Sequence, residues 1–279
     1  MLNLLLAILS SAMVSITMRL SETKVKNNIG VLCINYLMCL GLAWCDTGFG
    51  ELFPREEGLA LARNLDGING ILYLAGFVLL QFNIRKNGVV LSSIFMKLGL
   101  LVSMLVSVLF FREMPEMLQW LGFVLAVAAI ILINYQPGSG GAGSKWGLLL
   151  ALLVGGTADS MSKVFEELGN PALSGHFLMY TFFIAFAFCV ALNFCRKLGW
   201  PGKREWLFGL LIGIPNFFSA KFLLGALETI PAVIVYPVNS VAAILVVTMA
   251  GVLLFRERLE KRQWVALVLI LAALVLLNL

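Results

Sequence analysis

Long apolar runs alternate with short polar stretches along the whole chain. A helix needs about 20 mostly apolar residues to cross a bilayer, and these runs lack the period-two alternation that marks membrane barrel strands. Because backbone groups inside a bilayer must bond to one another, the runs predict membrane-spanning helices. The predicted segments are 2–19, 29–45, 68–84, 88–111, 117–135, 146–164, 172–195, 206–226, 230–255 and 262–279.

The composition agrees with this pattern. Of the 279 residues, 61% are hydrophobic and only 13% are charged, which is too few to cover the surface of a soluble domain. The net charge of +5 comes from bases in the predicted loops, where anionic lipid headgroups are the simplest partner. We therefore predict an all-α, multi-pass protein of the cell (inner or plasma) membrane that binds no nucleic acid.

Displacing the chain against itself by 144 residues reveals an internal repeat. Charged and aromatic residues match in one register, and such matches arise by chance far less readily than matches between leucines. We predict a duplication, with a first five-helix repeat at 1–135, a Gly/Ser linker at 136–145 and a second five-helix repeat at 146–279. The matched pairs are Phe111 and Phe255, Arg112 and Arg256, Glu113 and Glu257, Gln119 and Gln263, Trp120 and Trp264, Arg19 and Lys163, and Tyr36 and Tyr180.

Five helices in each half have a topological consequence. An odd number sends the second half into the membrane from the opposite side, which gives two inverted repeats related by an axis in the membrane plane. Such repeats can exchange conformations, and the binding site then lies near the midplane between them. Lysine and arginine are concentrated in the odd-numbered loops, so the positive-inside rule places these loops in the cytoplasm and both termini outside.

The repeated motifs resemble the drug/metabolite transporter superfamily, in its ten-helix EamA-type branch. The resemblance is carried by Phe-Arg-Glu at 111–113 and 255–257, by Gln-Trp at 119–120 and 263–264, and by Pro237-Val238 in the ninth segment. The first half departs from the pattern, because Ser93 stands where that proline is expected. The resemblance implies a ten-helix transporter fold, and family members are more often drawn with both termini inside, which is the alternative to the orientation given by the charges. Family members carry amino acids, sugars, nucleotides, organic cations and lipid-linked sugars, and these motifs do not select among them.

Two charged residues inside apolar segments are the main functional candidates. A charged side chain at the bilayer centre costs at least ~2.5–3.5 kcal/mol, so its presence needs a reason. We predict that Lys97 faces a central cavity and meets an anionic group, either on the solute or on Asp159. A purely structural Lys–Asp pair is the alternative. Asp159 could bind a cation, take up a coupling proton, or lie in solvent near the membrane boundary.

Further substrate-binding candidates are polar or aromatic residues within the segments. The two tyrosines of the repeat suit ring or cation recognition, and the single histidine titrates in a range that suits proton coupling. For each of them, ordinary packing or hydrogen bonding inside a helix is the alternative. These candidates are Tyr36, Tyr180, His176, Ser93, Asn216, Tyr236 and Asn239.

Together these features predict a secondary active transporter of a small polar or amphiphilic metabolite, working by alternating access with proton coupling or solute exchange. The alternative is a lipid-linked sugar flippase or an accessory subunit. The sequence contains no paired metal ligands and no nucleophile motif, so we predict neither an enzyme nor a cofactor. The expected partners are the small-molecule solute and the lipid bilayer, with the chain acting as a monomer or homodimer.

Overall fold

A computed structural model describes residues 2–48, 58–110, 116–134, 142–227, 232–257 and 259–276. The regular elements in these ranges are helices, with one 3-10 turn at Pro171–Leu173. The helices are α1 Leu2–Glu22, α2 Asn28–Asp46, α3 Leu59–Lys97, α4 Leu100–Phe110, α5 Met117–Asn134, α6 Ala142–Leu168, α7 Ser174–Cys195, α8 Lys203–Leu227, α9 Ala232–Leu253 and α10 Lys261–Leu276.

Five of the described helices are long and apolar enough to cross a membrane. Three further helices carry shorter apolar stretches, within α6, α9 and α10. The predicted class, an all-α protein built from apolar helices of membrane length, is therefore confirmed. The five long stretches are Leu2–Glu22, Asn28–Asp46, Arg63–Lys97, Ser174–Cys195 and Lys203–Ala226.

The third and fourth predicted segments differ most from the structure. The boundary between them is the kink at Gly88, whose φ of 81° and ψ of 169° are not helical, so α3 from Leu59 to Lys97 holds two helices joined without a loop. Glycine adopts positive φ without steric cost, so the chain turns there without a connecting loop. A second break at Leu98 and Gly99 separates α3 from α4. Gly99 lies directly against Gly156 of α6, and only residues without side chains can approach so closely.

The helices of the two predicted halves pack extensively against each other. Helix α1 contacts α8 and α9, while α3 contacts α6 and α7; α2 lies against α7 and α8, and α5 lies against α10. The largest fully buried side chains in this packing include Tyr36, Phe95, Phe177 and Phe182. Large apolar side chains such as Leu9 and Phe110 are exposed on the outside, where lipid would cover them. The central helices α1, α3, α6, α8 and α9 thus enclose the middle of the bundle.

The predicted Gly/Ser linker falls largely on residues 135–141, which lie outside the described residues. The described chain resumes at Ala142 as helix α6, four residues before the predicted sixth segment. The Arg112-Glu113 motif also lies outside the described residues, whereas its repeat partner Glu257 is described.

Candidate functional site

A central cavity of about 160 Å³ lies between α1, α3, α6, α8 and α9. This volume is several times the roughly 30 Å³ that one water molecule occupies in the liquid. Helices from both predicted halves supply its polar side chains: Ser11 and Ser15 from α1, Tyr73, Ser93 and Lys97 from α3, Asp159 from α6, and Asn216 and Ser219 from α8.

The remaining walls of this cavity are apolar. Leu72, Phe77 and Leu80 come from α3, and Ile244 and Val247 come from α9. A largely apolar pocket with a few convergent polar groups is typical of small-molecule sites, because the apolar walls provide contact area while the polar groups fix orientation. The cavity therefore has the lining that a small amphiphilic solute requires.

Lys97 and Asp159 reach the cavity from different helices. They interact electrostatically, yet they make no ion pair within 4.0 Å in the part of the chain that the structure describes. The side chain of Asp159 is exposed and lines the cavity. The two opposite charges thus face a shared space and are not joined in a closed pair.

Two other predicted site residues also line this cavity. Asn216 donates from Nδ2 to Asn35 Oδ1 at 3.2 Å, a bond between α8 and α2 that holds the amide in place. Ser93 is buried, and its Oγ has no hydrogen-bond partner among the described residues. Ser93, Lys97, Asp159 and Asn216 therefore line one cavity, and their binding of a substrate stays a prediction.

The other predicted site residues lie outside the lining of this cavity. Tyr36 is fully buried and its hydroxyl donates to the Tyr73 carbonyl at 2.9 Å, so it supports a lining residue from behind. Tyr180 and His176 lie one above the other on α7, with ring centroids 6.2 Å apart. Asn239 is buried in α9, with no described hydrogen-bond partner for its Oδ1. The side chain of Tyr236 lies outside the described residues.

Sequence reasoning missed three polar residues, two in the cavity lining and one buried outside it. Ser11 stands one turn before Ser15 on α1, a spacing that a search for polar residues four apart could have found. Tyr73 lies within a predicted apolar segment. The predicted segments leave Asp66 in a loop, because the polar residues around it obscure the helical pattern. In the structure α3 begins at Leu59, so Asp66 lies two turns inside this helix. Its carboxylate is completely buried.

An ionic cluster, made of Arg19, Glu22, Arg85 and Glu257, closes one end of the bundle. Arg19 pairs with Glu22, its Nε lies 3.5 Å from Glu257 Oε1, and Arg85 Nε lies 3.6 Å from Glu22 Oε1. All four side chains come from segments that the positive-inside rule places on one side of the membrane.

Glu257 also caps the helix that restarts after the kink at Gly88. Its carboxylate accepts hydrogen bonds from the backbone N–H groups of Val89 at 2.8 Å and Val90 at 3.3 Å. These are free N–H groups at a helix start, where a negative charge is also favoured by the helix dipole. Glu257 of the Phe-Arg-Glu motif therefore joins the second half of the chain to α3.

Comparison with known proteins agrees with this architecture. A relative from Haemophilus influenzae, an uncharacterized protein, is 23% identical over 98% of this chain and 96% of its own length. A crystal structure with 15% sequence identity superposes with a TM-score of 0.66, covering 99% of this chain and 94% of that one, so the two share a fold. The model of the EamA-like transporter family matches residues 1–135 and 142–279, and the chain belongs to that family.

Proposed function

We propose that this protein is a secondary active transporter that moves a small polar or amphiphilic metabolite by alternating access. The observation that carries the proposal is the pair of opposite charges, Lys97 and Asp159, which face one central cavity without a closed ion pair. Membership of a transporter family makes solute movement, and not catalysis, the expected use of such a cavity.

The two charges of the cavity restrict the chemical groups that the solute can carry. An isolated charge in a low-dielectric interior is unfavourable, and a bound group of opposite sign relieves that cost. Lys97 would therefore receive an anionic group, and Asp159 a cationic or hydrogen-bond-donating group. The apolar side chains of Phe77, Leu80 and Ile244 would cover the remainder of the molecule. A dipolar solute with a small apolar portion satisfies all of these contacts together.

Alternating access is supported by the repeat in the sequence. Ser15 and Asp159 match across the 144-residue displacement, and both line the cavity, so the axis relating the proposed repeats would pass through it. The family model matches in two separate stretches, one in each half, which also supports two related units. In such repeats, exchange of the conformations of the halves opens the central site to alternate sides.

The ionic cluster would keep the cavity closed at one end of the bundle. Glu257 holds α3 at Val89 and holds α1 through Arg19, so the cavity cannot open at that end while these contacts persist. The repeat places Lys163, Glu166 and Glu113 at positions equivalent to Arg19, Glu22 and Glu257. We propose that these partners, whose side chains lie outside the described residues, close the opposite end in the alternate state. The driving force would be a proton gradient or exchange of solutes.

The first experiment identifies the solute. The purified protein is screened by thermal shift against amino acids, sugars, nucleosides and organic cations, because a ligand that binds the folded state raises the melting temperature by mass action. A hit is then tested as a radiolabelled solute for saturable uptake into proteoliposomes. Lipid scrambling without solute uptake would instead identify a flippase.

The second experiment tests the site. Lys97→Met and Asp159→Asn each remove one cavity charge, and Lys221→Met is the matched control, because Lys221 pairs with Asp46 away from the cavity. We expect both cavity variants to lose at least about ten-fold in solute affinity, as for loss of one charged contact, while the control binds normally. Unchanged affinity in both cavity variants would exclude this cavity as the binding site.

A further inference from the structure

A second buried carboxyl group, Asp66, lies away from the central cavity at the contact between α3 and α7. It is 0% exposed, and no opposite charge lies within ion-pair distance in the described part of the chain. Gly70, one turn further along α3, draws α7 close: a Cβ at that position would lie 2.7 Å from Ile184 and 2.8 Å from the Thr181 carbonyl. The close packing leaves little room for water beside this carboxyl group.

The hydrogen bonds around Asp66 lack one donor. Thr181 donates its hydroxyl to Asp66 Oδ1 at 2.9 Å, and Asn69 donates from Nδ2 to the Thr181 oxygen at 3.2 Å. Two buried oxygens, Asp66 Oδ2 and Asn69 Oδ1, have no hydrogen-bond partner among the described residues. Both are acceptors, and they belong to residues three apart on one face of α3 that bond the same hydroxyl. A proton carried by Asp66 Oδ2 would make that oxygen a donor and could give Asn69 Oδ1 its partner.

We propose that Asp66 is a proton-binding site, neutral when occupied, at which the proton on Oδ2 supplies the missing donor to Asn69 Oδ1. An ionised carboxylate with one hydroxyl partner and no cation would be strongly destabilised in this position, whereas the neutral acid is not. A metal ion fits less well, because hard cations take six or more oxygen ligands and this group offers fewer free oxygens. No covalent bond changes except the O–H bond, which forms on protonation and breaks on release.

Charged and titratable groups near this site come from α3 and α7. Arg63 lies one turn before Asp66 on α3, and Tyr180 on α7 interacts electrostatically with both. His176 lies on α7 one turn before Tyr180, and the centroids of the two rings are 6.2 Å apart. Asp46, at the end of α2, forms an ion pair with Lys221.

The site is mechanically connected to the cavity. Asp66, Asn69 and Tyr73 occupy one face of α3, and Tyr73 lines the cavity about 10 Å further along the helix axis. Separation of α3 from α7 would hydrate Asp66, favour release of its proton and displace a wall of the cavity in the same movement. This coupling role rests on the proposed transport function, whereas the existence of the proton site does not.

Infrared difference spectroscopy of the purified protein tests the site without transport. We expect wild type at neutral pH to show the C=O stretching band of a protonated carboxyl group, sensitive to exchange of H₂O for D₂O, which is lost in Asp66→Asn and kept in the control Asp46→Asn. Thr181→Val removes the hydroxyl bonded to Oδ1, so it should shift the band and not abolish it. A band that persists unchanged in Asp66→Asn would overturn the proposal.

Proteoliposomes test the coupling. Because asparagine resembles the neutral acid, Asp66→Asn should bind the solute and exchange it across the membrane normally, yet lose at least about ten-fold of the accumulation driven by a pH gradient. Gradient-driven accumulation that equals wild type would overturn the coupling role. Absence of solute movement in wild type would instead reject the proposed transport function, while the infrared result would still decide the proton site.

Discussion

The two aspartates Asp159 and Asp66 have the same side chain and opposite surroundings. Asp159 opens into the central cavity, which the cation Lys97 also lines. Asp66 is 0% exposed beside Thr181 and Asn69, and one of its oxygens has no hydrogen-bond partner among the described residues. Environment and not residue type therefore assigns the proposed roles: ligand contact at Asp159 and proton binding at Asp66.

Reversing one cavity charge tests whether Asp159 interacts with Lys97, and it should have the largest effect on stability. Asp159→Lys places two cations in one cavity, so we expect a loss of several kcal/mol of stability, or failure to fold. The exchanged double variant Lys97→Asp/Asp159→Lys restores opposite charges and should recover about 1–3 kcal/mol of that loss. Melting temperatures in detergent measure both. A double variant no more stable than Asp159→Lys would show that the two side chains do not sense each other.

Neutralising each aspartate in turn compares the two environments directly. Asp159→Asn leaves Lys97 without its counter-charge and should cost roughly 1–3 kcal/mol, the range for an uncompensated polar group. Asp66→Asn replaces a neutral acid by a neutral amide and should change stability by less than about 0.5 kcal/mol at neutral pH. Equal losses of thermal stability in the two variants would contradict the different ionisation that we assign to them.

Removing the cap at the kink of α3 should have an intermediate effect. Glu257→Ala frees the N–H groups of Val89 and Val90 and separates α1 from this end of the bundle, which should cost about 1 kcal/mol, as for other helix caps. The matched control is Glu116→Ala, an exposed glutamate at the start of α5.

The same variant reports on access to the cavity. We expect a cysteine placed at Ser15 to react faster with a water-soluble thiol reagent when Glu257 is absent, after the five natural cysteines have been replaced. If Glu257→Ala and Glu116→Ala label at the same rate, the ionic cluster does not hold that end closed.

The smallest effect is expected at the ion pair between Lys221 and Asp46. Their side chains are 41% and 29% exposed, and exposed pairs typically contribute less than about 1 kcal/mol. Lys221→Met should therefore leave the melting temperature and solute affinity close to wild type, and added salt should change neither. A large loss of affinity would place the solute site away from Lys97 and Asp159.

The sequence by itself determined the class of the protein. Apolar runs of membrane length predict helices wherever they occur, because a bilayer provides no hydrogen bonds to the backbone, and this requirement depends only on the local chain. The same reasoning singled out Lys97 and Asp159, since a charge in an apolar segment is costly in any tertiary arrangement. It could also align Glu257 with Glu113, because a duplication is a property of the sequence.

Only the tertiary structure decided which polar groups meet. Helix α3 extends to Leu59 through a polar stretch because α7 packs against it, and this packing makes Asp66 a buried residue where the sequence indicated a loop. Tyr36 supports Tyr73 from behind and lies outside the cavity lining, since the face that a helix residue presents depends on its neighbours. Glu257 reaches Val89, 168 positions away in the chain, because a kink at Gly88 exposes N–H groups there. Burial and partners are properties of the packed bundle, and the local pattern of the chain does not contain them.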